Sequence, residues 1–268
     1  MKNKKIAVIG AGNMGGALMT GWMRSGQIAA ENITAVDLVP ELLEQRKSEL
    51  GIQVASDARD VVADQDVVVM GVKPQYWKAT VSNFKDLLHK DQLVISFMAG
   101  VQIGALEAEM GALPVVRVMP NILAQVSAAG SGVCAGTHAD EGHLQLVLDL
   151  LNTVGAAVVV SEIQMDAVTG LAGSGPAYVY AIIDALADGG VRAGLPKDMA
   201  LTLATQTVLG AARMVAESGE HPAVLKDRVT SAGGTTIAGL HALEKGGLRA
   251  ALMDAVLAAT ERSEALGK

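Results

Sequence analysis

With 268 residues, half of them hydrophobic and 18% charged, the chain is long enough for one large core or two modest ones. A formal net charge of -7 without a basic cluster argues against nucleic acid as the main partner. The single cysteine, Cys134, excludes an intramolecular disulfide and fits the cytoplasm, and no apolar run approaches the roughly 18 residues that a membrane helix needs.

At the N-terminus Lys2, Lys4 and Lys5 precede an apolar run in superficial imitation of a secretory signal. Asn13 interrupts that run and no small-residue cleavage site stands clear of the glycines, so the segment is expected to be kept. The run Ile6–Ile9 reads as a strand, Gly10-Ala11-Gly12-Asn13-Met14-Gly15 as a tight turn, and Ala17-Leu18-Met19 as part of the following helix. In that order the turn binds a dinucleotide. Gly10 permits the bend, Gly12 lets a pyrophosphate reach the backbone, Gly15 allows close helix–strand packing, and the helix N-terminus faces the phosphates. A second strand, Ile33–Val36, ends at Asp37, 22 residues beyond Gly15, where an acid would hold a ribose diol. Glu41–Glu49 reads as a solvated helix face, with Arg46 and Lys47 too far along it to assist at the ribose.

Further strands are predicted at Gln53–Val54, Val67–Met70, Leu93–Ser96, Val115–Met119, Gly132–Ala135 and Ala157–Val160, alternating with helical patterns as in a doubly wound α/β sheet. Val67–Met70 is apolar throughout, which suits a parallel strand buried on both faces. After Ser161 the β pattern stops and helices joined by Gly and Pro breaks follow, so the predicted division is residues 1–160 and 161–268. Ala177–Ile183 has no polar face and needs cover all round, supplied either by a second copy of the chain or by a monomeric bundle around it. With aromatics at 3%, helices must pack through small side chains at close approach.

The run Val229–Glu244 is a hydroxyl-bearing loop that turns into a helix. Val229, Thr230, Ser231, Gly233, Gly234, Thr235 and Thr236 form a cradle for a small carboxylate, because a helix start leaves about four N–H groups without partners. Thr236 there also suits a capping role. Leu248–Leu266 reads as an amphipathic helix. Cys134 reads as a small buried hydrophobe, and the five histidines (His89, His138, His143, His221, His241) lack metal-ligand spacing, so no metal is expected.

The stretch Val229–Glu244 resembles the signature of the Δ1-pyrroline-5-carboxylate reductases. Gly71–Pro74, Ala99–Val101, Arg117–Asn121, Asp166–Tyr178 and Asp184–Gly190 resemble further blocks of that family in family order. The resemblance implies a Rossmann-type domain followed by an all-α dimerisation domain, in a homodimer with an active site where subunits meet and in larger assemblies a ring of dimers. Ile9, Gly10, Ala11, Gly12, Asn13, Met14, Val72, Lys73, Pro74, Met98 and Ala99 would line NADP or NAD, joining Gly15 and Asp37. Lys73 also fits a purely structural turn. Val229–Thr236 would surround 1-pyrroline-5-carboxylate, with the Thr236 hydroxyl near the ring nitrogen as the catalytic group. The implied reaction is hydride transfer from the nicotinamide to the cyclic imine, giving L-proline.

A six-membered imine is an alternative substrate, since one methylene is worth only about 1–3 kcal/mol in a pocket. A β-hydroxyacid dehydrogenase would share Gly170–Gly175 but needs a lysine and an asparagine where this chain has Val179 and Ile183. A non-catalytic nucleotide-sensing dimer leaves the hydroxyl-rich cradle without a role. The chain departs from the family at Ile122-Leu123, where threonine and proline are common, at Ala232 in place of proline, and at Ala58 in place of asparagine. Asp37 repels a 2′-phosphate, so NADH is expected to serve at least as well as NADPH.

Overall fold

Eight short runs of β-branched and small residues pair into one sheet in the computed structural model, which describes residues 3–267; Lys2 of the basic N-terminal run lies outside them. The strands are β1 (Ile6–Ile9), β2 (Ile33–Val36), β3 (Gln53–Ala55), β4 (Val67–Met70), β5 (Leu93–Ser96), β6 (Val115–Met119), β7 (Ala129–Ala135) and β8 (Gly155–Val159). Their order is β3-β2-β1-β4-β5-β6-β7-β8. Pairing is parallel throughout except between β6 and β7. The chain winds outward from β1 to β3, then returns to β4 on the other side of β1, so the switch point lies between β1 and β4. Ligands of open α/β sheets bind at such a point, outside the carboxyl ends of the strands.

The helices of this part are α1 (Asn13–Arg24), α2 (Pro40–Leu50), α3 (Trp77–Phe84), α4 (Ile103–Met110), α5 (Glu141–Asn152) and α6 (Met165–Val168). Side chains alternate across a strand, so each central strand feeds two cores. Ile6, Val8, Val67, Val69, Leu93 and Ile95 point to one face and pack with Leu18, Met19 and Trp22 of α1 and Leu150 and Leu151 of α5. Ile9, Val68, Met70 and Val94 point to the other and meet Trp77, Val81 and Phe84 of α3 and Leu106 of α4. The Trp22 indole N–H, fully buried, donates to the Leu150 carbonyl at 3.1 Å and so loses no hydrogen bond on burial. Three strands extend beyond their sequence patterns, β3 by the single residue Ala55. β7 begins at Ala129 rather than Gly132 and β8 runs from Gly155 rather than Ala157, because the two pair from Ala129–Gly155 through Val133–Val159. Mutual pairing recruits Gly130 and Ser131, residues of poor strand propensity.

The helical part comprises α7 (Gly175–Arg192), α8 (Lys197–Ser218), α9 (Pro222–Arg228), α10 (Thr235–Lys245) and α11 (Leu248–Leu266). The chain forms two compact units, one reaching to Ser174 and taking in the segment from Leu257 on, the other Gly175–Val256. Within the first, the end of α11 is anchored by the Ser263 hydroxyl, which donates to Asp166 at 2.6 Å, and by Gly267 packed on Gly100. Within the second, α7 and α8 meet through Ala187, Ala200 and Ala204, with Ile183 at the edge. A Cβ at Gly190 would stand 3.0 Å from that of Ala200, which is the close approach that small residues permit.

This unit does not bury α7. Val179, Tyr180, Leu186 and Val191 are exposed, so α7 is not the central helix of a monomeric bundle. On α8, Met199, Leu201, Leu203, Leu209 and Met214 are exposed as well. By length and composition α8 could cross a membrane, although no unbroken apolar run of that length occurs in it: Thr202, Thr205, Gln206 and Thr207 punctuate it.

Candidate active site

The turn after β1 carries the first constellation. Gly10 has φ +99°, a conformation that costs other residues, and a Cβ there would strike the Gly71 carbonyl at the end of β4. At Gly15 a Cβ would strike the Gly10 carbonyl, so α1 sits tight against β1. At Gly12 a Cβ would meet nothing within 4 Å; the space in front of the turn is open. Gly12 is the N-cap of α1, with no side-chain cap and no acid in the first turn. The first-turn N–H groups are therefore free to take an anion, and the cradle has the shape a dinucleotide pyrophosphate requires.

Asp37 follows β2 and is held on both carboxylate oxygens: Ala11 N–H donates to Oδ2 at 2.9 Å and Val39 N–H to Oδ1 at 3.2 Å. This fixes the acid beside the turn. The next residue, Leu38, is 88% exposed and aliphatic. Arg46 has a role that the sequence reading missed, at the glycine turn and not at the ribose. From α2 its Nε donates to the Ala11 carbonyl at 3.1 Å and its Nη2 to the Gly12 carbonyl at 3.4 Å, so it reaches the turn after all. The signal was present in the sequence as Gly16, where any Cβ would collide with this guanidinium, but only the fold reveals the pairing.

The other predicted lining residues stand at the same strand ends. Val72 is half-buried, while Lys73 and Pro74 are exposed; Lys73 precedes a short 3-10 turn, Pro74–Tyr76, and accepts from Tyr76 N–H at 2.9 Å. The Met98 side chain is buried in the core beneath α3 and α4, while Ala99 is exposed. Cys134 is buried, and burial together with the nearby Glu162 pushes its thiol above the ordinary range, the opposite of an activated nucleophile. No group of three or more His, Cys, Asp or Glu side chains placed to hold a metal ion occurs among the described residues.

The second constellation is the start of α10. Gly233 has φ +67° and Gly234 is the N-cap, again without a side-chain cap and with no acid in the first turn. The capping role open to Thr236 is therefore not taken: Thr236 lies at the second helical position, half-buried. Gly234 N–H donates to the Ser231 carbonyl at 3.1 Å and closes the turn, and the Ser231 hydroxyl occupies the space a Cβ at Gly234 would need. Thr230 is committed elsewhere, its hydroxyl donating back to the Lys226 carbonyl of α9 at 2.7 Å. Val229, Ser231, Gly233 and Thr235 are exposed.

Residues 162–266 match the profile of pyrroline-5-carboxylate reductase dimerisation, and residues 5–100 that of NADP oxidoreductase, coenzyme F420-dependent. Pyrroline-5-carboxylate reductases from Methanosarcina acetivorans, Arabidopsis thaliana and Escherichia coli are 49%, 46% and 38% identical, covering 100%, 98% and 99% of this chain and 100%, 96% and 99% of their own. The chain belongs to the pyrroline-5-carboxylate reductase family. Among solved structures of that family, the Coxiella burnetii protein superposes with a TM-score of 0.93 at 36% identity, covering 99% of each chain. The Plasmodium falciparum pyrroline carboxylate reductase, solved with NADP bound, gives 0.89 at 33%, covering 100% of each. Beside Ile122-Leu123, Asn121 Oδ1 accepts from Leu123 N–H at 3.1 Å and its amide donates to the Ala172 carbonyl at 2.9 Å, which secures the turn without threonine or proline. Ala58 is buried in the core and offers no polar group.

Proposed function

We propose that the chain reduces 1-pyrroline-5-carboxylate to L-proline with NADPH or NADH. The observation that carries this reading is the pair of helix starts, α1 and α10, each glycine-led, uncapped and free of acids in its first turn: one suits a pyrophosphate, the other a carboxylate. Gly10, Ala11, Gly12, Asn13, Met14 and Gly15 hold the dinucleotide, with Ile9, Asp37, Val72, Lys73, Pro74, Met98 and Ala99 around it. When bound, a reduced nicotinamide supplies the hydride that adds to C5 of the imine. The chain's own work is positioning and exclusion of water, because a protonated imine is already electrophilic and calls for neither a metal nor a strong general acid. The N–H groups of Thr235 and Thr236 hold the substrate carboxylate, and the Thr236 hydroxyl accepts from the protonated ring nitrogen before reduction. As hydride arrives, the C=N π pair moves to nitrogen and leaves a neutral ring amine, which Thr236 keeps in place.

The same reading divides the chain into a dinucleotide domain, 1–160, and a substrate and dimerisation domain, 161–268, acting as a cytoplasmic homodimer that assembles further as a ring of dimers. NADH is proposed to serve at least as well as NADPH, since the fixed Asp37 carboxylate repels a 2′-phosphate and Leu38 offers it no cation. Steady-state kinetics with both cofactors at saturating substrate tests this, and a large NADPH advantage refutes it. The reductase reading itself is tested by dinucleotide oxidation with pyrroline-5-carboxylate, the six-membered piperideine carboxylate and β-hydroxyacid oxidation as separate arms. Turnover is expected with the five-membered imine; turnover confined to hydroxyacids overturns the assignment.

A further inference from the structure

The geometry points to Arg46 as a positioning residue for the dinucleotide, acting through the backbone of the glycine turn; the inference rests on the reductase reading above. A trans peptide is planar, with its C=O and the following N–H pointing in opposite directions. The Arg46 guanidinium draws the carbonyls of Ala11 and Gly12 towards α2, at 3.1 and 3.4 Å. The Gly12 carbonyl also accepts from Gly16 N–H at 2.8 Å, so Arg46 and the start of α1 together turn the N–H groups of Gly12 and Asn13, which share those two peptides, the other way, towards the open space in front of Gly12. Those are the donors a pyrophosphate needs. Ala11 is held at both ends, its N–H by Asp37 at 2.9 Å and its C=O by Arg46, and it is fully buried.

Three features show that the guanidinium is committed to this task. Its side chain is only 13% exposed. Glu49 Oε2, at 3.2 Å from Nη1, orients it from the next turn of α2. Gly16 leaves the passage through which it reaches the turn, since any Cβ there would collide with it. The fork of Arg suits two adjacent carbonyls in a way a lysine ammonium does not. Its charge stands behind the turn, where it favours an anion in front without touching the ligand.

Calorimetric titration of the full chain with NADPH and with NADH, beside steady-state kinetics, tests the assignment. In Arg46→Gln the dissociation constants for both dinucleotides are expected to rise about tenfold and alike, the worth of lost charge-assisted hydrogen bonds, while kcat at saturating cofactor stays within about twofold. Gly16→Ala, which displaces the guanidinium but keeps the charge, is expected to weaken both cofactors in the same equal proportion, and decides the matter if Arg46→Gln fails to fold. Unchanged affinity in either folded variant overturns the inference, as does a loss confined to NADPH, which would make Arg46 a ligand of the 2′-phosphate. A wild-type chain that binds neither dinucleotide would sink the reductase reading and this inference with it; wild-type binding with unaffected variants sinks the inference alone.

Discussion

The Thr236 hydroxyl sits at the second position of α10 in a helix start that takes no side-chain cap, so its removal leaves the helix without a lost bond of its own. Thr236→Ala should therefore lower kcat by about tenfold to a hundredfold, the worth of one hydrogen bond to a charged group, with the melting temperature and the sizing profile unchanged. Wild-type turnover in that variant removes Thr236 from the site. Asp66 carries the opposite kind of role, structural and pH-dependent. Partial burial disfavours its charge, but Lys5 N–H at 2.8 Å and the Lys4 ammonium at 2.9 Å outweigh that and hold its carboxyl below the usual range. A depressed folded pKa contributes stability above the unfolded value of about 3.9, and that contribution is lost as pH falls through the folded pKa. Asp66→Asn should melt a degree or two lower than wild type at pH 7 and level with it once the pH has fallen below the folded pKa; a gap that persists in acid would mean the change acts through packing. Residues whose role is set by backbone geometry were legible from sequence: Gly10 follows from the positive φ of a tight turn and Gly15 from the close approach of α1 to β1. Arg46 was not, because where the head of a long side chain lands depends on the rotation of α2 about its axis, which no local pattern encodes.

At the scale of elements, the strands with β-branched runs, β1, β2, β4, β5 and β6, stand where their residues predict, since a run buried on both faces has no competing placement. The edges of β7 and β8 were illegible because their first residues are glycine, alanine and serine, which become strand only by pairing with one another. The helical unit shows how small residues substitute for bulk. Gly190 of α7 faces Ala200 of α8 at a distance where a single added carbon already presses on its neighbour. Gly190→Leu is overpacking in the sense that the two helix axes must separate, at a cost of about 1–3 kcal/mol. The expected outcome is a lowered melting temperature with dinucleotide affinity retained, because the glycine turn belongs to the other unit; a stabilised variant would mean that α7 and α8 have slack between them.

For the whole molecule, the decisive fact is that α7 and α8 bury a cluster of three small alanines between them while much of their remaining apolar surface stays open. Apolar surface of that extent on α7 and α8 marks an interface or a membrane. Among the described residues α8 alone meets the length and composition of a membrane helix, but its threonines and Gln206 would be costly in lipid, whereas a protein partner can satisfy them. The family profile over residues 162–266 is one of dimerisation, which favours a second copy as the cover. Ile182, half-buried in the middle of α7, offers the sharpest test. If a second copy covers it, Ile182→Glu places a carboxylate in an apolar interface with no partner, which costs several kcal/mol, enough to dissociate or unfold the chain. Light scattering on a sizing column should report two chains or a multiple of two for wild type and a smaller or unfolded species for the variant. The wild-type melting temperature should rise with protein concentration, as mass action requires of a dimer whose monomer leaves its helices bare. An unchanged elution profile for Ile182→Glu, together with a melting temperature indifferent to concentration, would mean that α7 lies against solvent and that the helical unit is not held by a partner.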